Sequence, residues 1–130
     1  MKFNVLICAR SGSKGLKNKN IKLFSGKPLI SWSISLAKKL KEVENVYVST
    51  DSKKIANISK KYGAEVPFLR PKNLASNNSS EWDAWRHALN FFSRNNIHTD
   101  GLIILPATSP LRRLSDINKC INAFKKKNVQ

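Results

Sequence analysis

Arg10, Lys14, Lys17 and Lys19 crowd one short stretch, ICARSGSKGLKNKN (residues 7–20), and no carboxylate follows until well past it. So much uncompensated positive charge either repels itself in solvent or receives an anion. Glycines at 12 and 15 let backbone N–H groups turn inward as an anion-binding nest. The planar guanidinium of Arg10 suits a bidentate grip on a phosphate, and Lys14 and Lys19 act as point charges. Lys17 and Lys22 read as ordinary solvated charges. The stretch is neither GxxxxGK[ST] nor GxGxxG, so ordinary P-loop hydrolases and dinucleotide dehydrogenases lose ground. Ser13 has no His-plus-acid partnership to activate it as a nucleophile.

A loop of this kind needs a rigid frame, and the surrounding sequence supplies one. Lys2 to Ala9 is a near-continuous apolar run, as expected of a buried strand, and Arg10 to Ser25 is polar loop. Pro28 sits in the first turn of a helix expected to run to about Lys41, with Leu29, Ile30, Trp32, Leu36 and Leu40 near helical spacing. A short β-branched strand follows at Val46 to Ser49. Asp51 or Ser52 caps a helix from Lys53 to Tyr62, and Gly63 stops it; Asp51 reads as a cap rather than a metal ligand. Val66 to Leu69 is expected as a brief extended segment, and Arg70 to Ser79 as loop. Ser79 or Ser80 caps a helix carrying Trp82, Trp85, Leu89 and Phe92; Trp82, Trp85 and Trp32 read as core, and His87 as structural. GLIILP, residues 101–106, is a second fully apolar strand. Thr108 to Arg113 is loop, and Ser115 caps a last helix through about Lys127. The order β-α-β-α-β-α-β-α argues an α/β fold with a parallel sheet covered on both faces. In such a sheet ligands bind beyond the carboxyl ends of the strands, which is where residues 10–20 lie.

The 130 residues suit one domain, and the apolar fraction of 41% is compatible with a packed core. With 24 Lys plus Arg against 8 Asp plus Glu, the net charge is +16, which by itself admits a basic nucleic-acid-binding module. The lysines are scattered rather than gathered in one arm, so most of the charge reads as solvated surface. Cys8 and Cys120 have no metal or redox spacing and read as reduced thiols of a cytoplasmic protein. The amino terminus is too short and too polar in its apolar run for a membrane span or a signal peptide.

Residues 9–20 resemble the "ARxGSKGxxxKN" loop of the acylneuraminate cytidylyltransferase family (CMP-sialic acid synthetases and relatives), through Ala9, Arg10, Gly12, Ser13, Lys14, Gly15, Lys19 and Asn20. The resemblance continues through GKPLISWSI (26–34), VSTDS (48–52), YGAEVPFLRP (62–71), LAS (74–76), HAL (87–89) and TSPLR (108–112), in matching order over nearly the whole chain. It implies a Rossmann-like, mostly parallel sheet of the nucleotide-diphospho-sugar transferase type. It implies a reaction in which CTP and a 2-keto-3-deoxy sugar acid give CMP-sugar and pyrophosphate. Arg10 and Lys19 would be catalytic. Arg10, Lys14 and Lys19 would hold the triphosphate, with Ser13 and Asn20 also contacting the nucleotide, and Arg70, Ala75, Ser79 and Ser80 would help to bind the cytidine. Thr108, Ser109 and Arg112 would lie near nucleotide or sugar. Mg²⁺ is the implied cofactor, with ligands expected in a carboxyl-terminal part beyond residues 1–130, as is the segment forming a homodimer. The chain is thus read as the nucleotide-binding part of a cytidylyltransferase domain, truncated where a further strand is due; a non-catalytic remnant of the fold is the rival reading. CTP and an acidic nine-carbon sugar are the implied partners, with no nucleic acid and no membrane. Three positions depart from the family pattern: Pro106 stands where a Gln is usual, Asn77 where an Asp is, and Glu81 where a second Ser is common. They weaken any assignment of the particular sugar acid.

Overall fold

The computed structural model describes residues 2–12, 19–75, 81–107 and 114–128. Three strands, β1 (Phe3–Cys8), β4 (Val43–Ser49) and β5 (Gly101–Pro106), form a parallel sheet in the order β4-β1-β5. Between β1 and β4 lie a two-stranded antiparallel hairpin, β2 (Leu23–Phe24) with β3 (Lys27–Pro28), and helix α1 (Leu29–Lys38). Helices α2 (Lys53–Lys61), α3 (Glu81–Arg94) and α4 (Leu114–Asn128) complete the order.

Side chains alternate across the sheet as the pleat requires. Phe3, Val5 and Ile7 of β1, with Val46, Val48 and Leu105, face one way and meet Ile30, Ile34, Ile55, Ile117 and Ile121 from α1, α2 and α4. Leu6, Tyr47, Leu102 and Ile104 face the other way and meet Ala88 and Phe92 of α3. Both faces are therefore covered, which is why β1 and β5 are apolar without polar alternation. Asn4, 1% exposed, is the one polar break in β1. Its Oδ1 accepts the Asn45 backbone N–H at 3.1 Å, where the β1–β4 register shifts between Phe3 and Asn4, so the side chain replaces a ladder bond that the bulge removes.

Several expectations need correction. The segment Val66 to Leu69 is not a strand of the sheet: one isolated bridge, Tyr47 to Glu65, is all that forms there. Pro67, which has no N–H to donate, stands directly in the way of a ladder. The hairpin at 23–28 replaces part of the expected loop; Ser25 (φ 49°) and Gly26 (φ 82°) supply the two positive φ angles of a tight primed turn. Helix α1 ends at Lys38 rather than Lys41, and α4 begins at Leu114, so Ser115 lies inside its first turn instead of capping it. Trp82 is 58% exposed and not core. The stripe that α3 buries is Ala84, Ala88 and Phe92, whose small residues draw the helix axis close to the sheet and leave the tryptophan outside. Trp32 is only half-buried; it packs edge-on to Phe24, donates its indole N–H to the Phe24 carbonyl at 2.9 Å, and carries Lys27 over its ring.

Candidate active site

The chain leaves β1 toward β4 on one side and later returns to β5 on the other, so the strand order reverses at β1. The crevice beyond the carboxyl ends of β1 and β5 is the topological switch point, the usual ligand position in an open parallel sheet. Arg10 to Gly12, which follow β1, and Lys19 to Ile21, which lead on toward α1, are the described parts of the basic segment.

Five of the sequence-read residues are described there. Arg10 follows β1 directly, half-buried, and its carbonyl accepts the Asn20 side-chain N–H at 3.0 Å. Asn20 is buried within a 3-10 turn, Lys19–Ile21, which places half-buried Lys19 beside it. Asn20 thus ties the far foot of the loop to the near one. Arg70 is 7% exposed. Its backbone N–H donates to the Thr50 carbonyl at 2.7 Å, and its guanidinium reaches the Ser49 and Leu74 carbonyls at 3.4 Å each. Ala75 is buried next to Leu74. Ser13, Lys14, Ser79, Ser80, Thr108, Ser109 and Arg112 lie outside the described residues.

Arg70 is poorly satisfied for a buried cation. Among the described residues two long hydrogen bonds from its NH₂ groups are formed, and Nε has no partner. Burial lowers its pKa from the ordinary guanidinium value, Cys8 and Asp51 oppose that, and Arg10 adds to it. Arg70 thus feels both the Asp51 carboxylate and the Arg10 cation. A buried guanidinium whose Nε is unpartnered has capacity for a further acceptor.

Of the two candidate caps for α2, Asp51 and Ser52, it is Ser52 that fills the role, accepting the Ile55 N–H on its Oγ at 3.3 Å. Asp51 instead accepts two bonds from Ser11: the backbone N–H on Oδ1 at 2.8 Å and the hydroxyl on Oδ2 at 2.7 Å. Burial works against its charged form, but the Ser11 bonds and the Arg70 charge outweigh that and lower its pKa. The sequence signal that could have found this link is a lone carboxylate at the end of the strand that pairs beside β1. Among the described residues no three of His, Cys, Asp and Glu come together as metal ligands.

Cys8 ends β1 at the same crevice. Burial pushes its thiol from 9.0 up to about 11; Arg70 partly offsets this and Glu81 adds to it. Its thiolate fraction near pH 8.5 is then about 100-fold below that of an ordinary thiol. Iodoacetamide at that pH is expected to label exposed Cys120 first and Cys8 far more slowly in the native chain; equal labelling read by mass spectrometry would contradict the burial. The folded chain holds this proton more tightly than the unfolded one. The associated stability is complete below about pH 9 and lost as pH rises toward 11.

A parallel sheet with helices on both faces and a strand order that reverses at β1 defines a Rossmann-like α/β protein. A cytidylyltransferase family model matches residues 4–130, and the chain belongs to that family. It is 43% identical over 122 residues to the post-translational flagellin modification protein B of Campylobacter coli, covering 91% of this chain and 51% of that protein. It is 38% identical over 125 residues to the CMP-N,N'-diacetyllegionaminic acid synthase of Legionella pneumophila, covering 96% and 54%. The solved CMP:2-keto-3-deoxy-manno-octonic acid synthetase, complexed with CTP, superposes with a TM-score of 0.84 over 99% of this chain and 49% of that one; at 21% identity the likeness is one of fold. The chain spans about half the length of these relatives. No helix among the described residues is long and apolar enough to cross a membrane.

Proposed function

We propose that this chain is the nucleotide-binding part of an enzyme that transfers CMP from CTP to a sialic-acid-like, nine-carbon 2-keto-3-deoxy sugar acid. The sugar's anomeric hydroxyl attacks the α-phosphorus, the bond to the β-phosphate oxygen breaks, and pyrophosphate leaves. Such a transfer needs mainly positioning and charge stabilisation, and the residues present suit both. The observation that carries the reading is the buried guanidinium of Arg70, its Nε unpartnered, at the carboxyl end of β4 beside the strand that Arg10 follows, in a chain of the cytidylyltransferase family.

In this reading Arg10 and Lys19 stand on the two feet of the β1 loop and stabilise charge on the phosphates, joined by Ser13 and Lys14. Asn20 has one of its two amide N–H donors engaged by the Arg10 carbonyl, which leaves its second N–H and its Oδ1 for the nucleotide. Arg70, with Ala75, Ser79 and Ser80, serves the cytidine; Thr108, Ser109 and Arg112 serve nucleotide or sugar. Mg²⁺ belongs to the proposal as the partner of the triphosphate, but the described residues do not form a site for it, and its protein ligands are assigned outside them. The whole protein is proposed to work as a homodimer, on the strength of the family resemblance, and in the cytoplasm, on the strength of its two free cysteines.

Calorimetric titration with CTP and Mg²⁺, set against ATP, UTP and a short DNA duplex, tests the reading. CTP-selective binding is expected, weakened about 10-fold or more in Arg10→Ala by loss of a charge-assisted contact. Equal binding of every polyanion, fading steeply with salt, would instead support a generic basic nucleic-acid-binding module.

A further inference from the structure

We infer that Asp51 is a positioning residue, which holds Arg10 and Ser11 in the arrangement that receives the nucleotide's phosphates; the inference rests on the nucleotide reading above. Asp51 follows β4, and Ser11 follows β1, 40 positions apart in sequence and joined by two short hydrogen bonds. One oxygen takes the Ser11 backbone N–H and the other its hydroxyl, so both the peptide plane and the side chain of Ser11 are fixed. That peptide plane is the one bonded to the Arg10 carbonyl carbon, and Asn20 holds the Arg10 carbonyl from the other side. The near foot of the loop is therefore held from both sides of one peptide unit, by Asp51 and by Asn20, and Asn20 ties the far foot to it.

Asp51 is itself well anchored. Thr50 before it is fully buried and takes the Arg70 N–H on its carbonyl, and Ser52 after it caps α2. A rigid strand end thus sets the position of the carboxylate, and the carboxylate sets the position of Ser11. The charge has a second use. Arg10 and Arg70 lie close enough to act on each other, and Asp51 acts on Arg70 with opposite sign. Asp51 thereby lowers the repulsion between the two cations before an anion arrives, and its own charge is spent on Ser11 and Arg70 rather than aimed at a phosphate.

Three variants of the full protein, Asp51→Ala, Asp51→Asn and Ser11→Ala, test this with two readouts, CTP affinity by calorimetry and backbone amide exchange. Asp51→Ala is expected to weaken CTP about 10-fold or more, since misplacing a binding group by an ångström is that costly. It should speed exchange at the Ser11 amide while Val5 to Ile7 in β1 stay protected. Asp51→Asn should recover to within about 3-fold of wild type, because its amide oxygen still accepts the Ser11 N–H and its NH₂ can donate to the Ser11 hydroxyl. Ser11→Ala, which keeps the N–H bond, should fall between the two. Wild-type CTP affinity in Asp51→Ala overturns the inference, as does an Asn variant as impaired as the Ala variant. Absence of any CTP preference in the wild type counts against the nucleotide reading alone. The amide comparison then decides the clamp, and unchanged Ser11 exchange in Asp51→Ala overturns it.

Discussion

Arg70→Met is expected to raise the dissociation constant for CTP by about 10- to 100-fold, the worth of a hydrogen bond from a charged donor, with no fall in the melting temperature. The two halves of that result have opposite physical origins. For the empty fold, Arg70 is a burden: the side chain is 7% exposed, holds two carbonyls at 3.4 Å, and leaves Nε without a partner among the described residues. Replacing a buried, incompletely satisfied ion by an apolar side chain of similar length is often neutral or stabilising by about 1–4 kcal/mol. The Ser49 carbonyl keeps its bond from the Ala9 N–H at 2.9 Å, so losing the guanidinium does not orphan it. For the ligand, the same unsatisfied donors are the point of contact, and methionine has none. Arg70→Lys separates charge from shape: it keeps the cation but lacks the fork, and it is expected to bind CTP nearly as poorly as Met. Thermal unfolding and calorimetry on the same samples check both halves. A large loss of stability in Arg70→Met would make the residue a structural tie, and unchanged CTP affinity would remove it from the site.

What could be read from the sequence follows from where periodicity is strong. Residues 3–8 and 101–106 are apolar on both faces because the sheet is covered on both, and the reading placed both strands to within a residue or two. The helix at 81–94 announced itself by spacing, but not by which face it buries. Phe92 and, in part, Trp85 lie on the core face as their size suggested, but Ala84 and Ala88 complete the buried stripe and Trp82 stays outside, because close approach to a sheet favours small side chains. The hairpin at 23–28 was missed because strands of two residues carry no period; the Ser25-Gly26 pair was its only mark. Pro67 could have demoted the segment 66–69, since a missing donor is visible in sequence.

The site divides in the same way. Arg10, Lys19, Asn20 and Arg70 stood out through charge and resemblance, and the structure brings all four to the carboxyl end of β1 or the strand end beside it. Asp51 did not stand out as part of the site. A carboxylate next to a serine at a helix start looks like a cap, and only the pairing of β1 with β4 reveals that its partner is 40 residues away. Bonds between strand ends depend on sheet order, and sheet order is what a single sequence states least directly.

Gly101→Ala is expected to destabilise the chain by about 2 kcal/mol, within the range for overpacking a core, although two general arguments favour the alanine. Alanine lowers the entropy of the unfolded chain, worth about 0.4–1 kcal/mol where the native backbone accepts it, and Gly101 is not among the residues of positive φ. Space decides against it. A Cβ at this position would stand 2.5 Å and 2.8 Å from two ring atoms of Phe3 and 3.2 Å from a ring atom of Phe124. Phe3 is 2% exposed, pairs with Gly101 across the β1–β5 ladder, and stacks edge-on with Phe124 at 5.5 Å between centroids. Its ring has no room to retreat without disturbing the α4 contact. The glycine is thus a notch for Phe3 at the start of β5, in keeping with strand glycines marking close approach. Urea unfolding of a double-mutant cycle with Phe3→Ala isolates the clash. Phe3→Ala alone is costly, but on that background Gly101→Ala should be neutral or slightly stabilising, since the ring it would meet is gone and the entropic term remains. An equal penalty on both backgrounds would place the strain in the backbone of residue 101 rather than in the Phe3 ring.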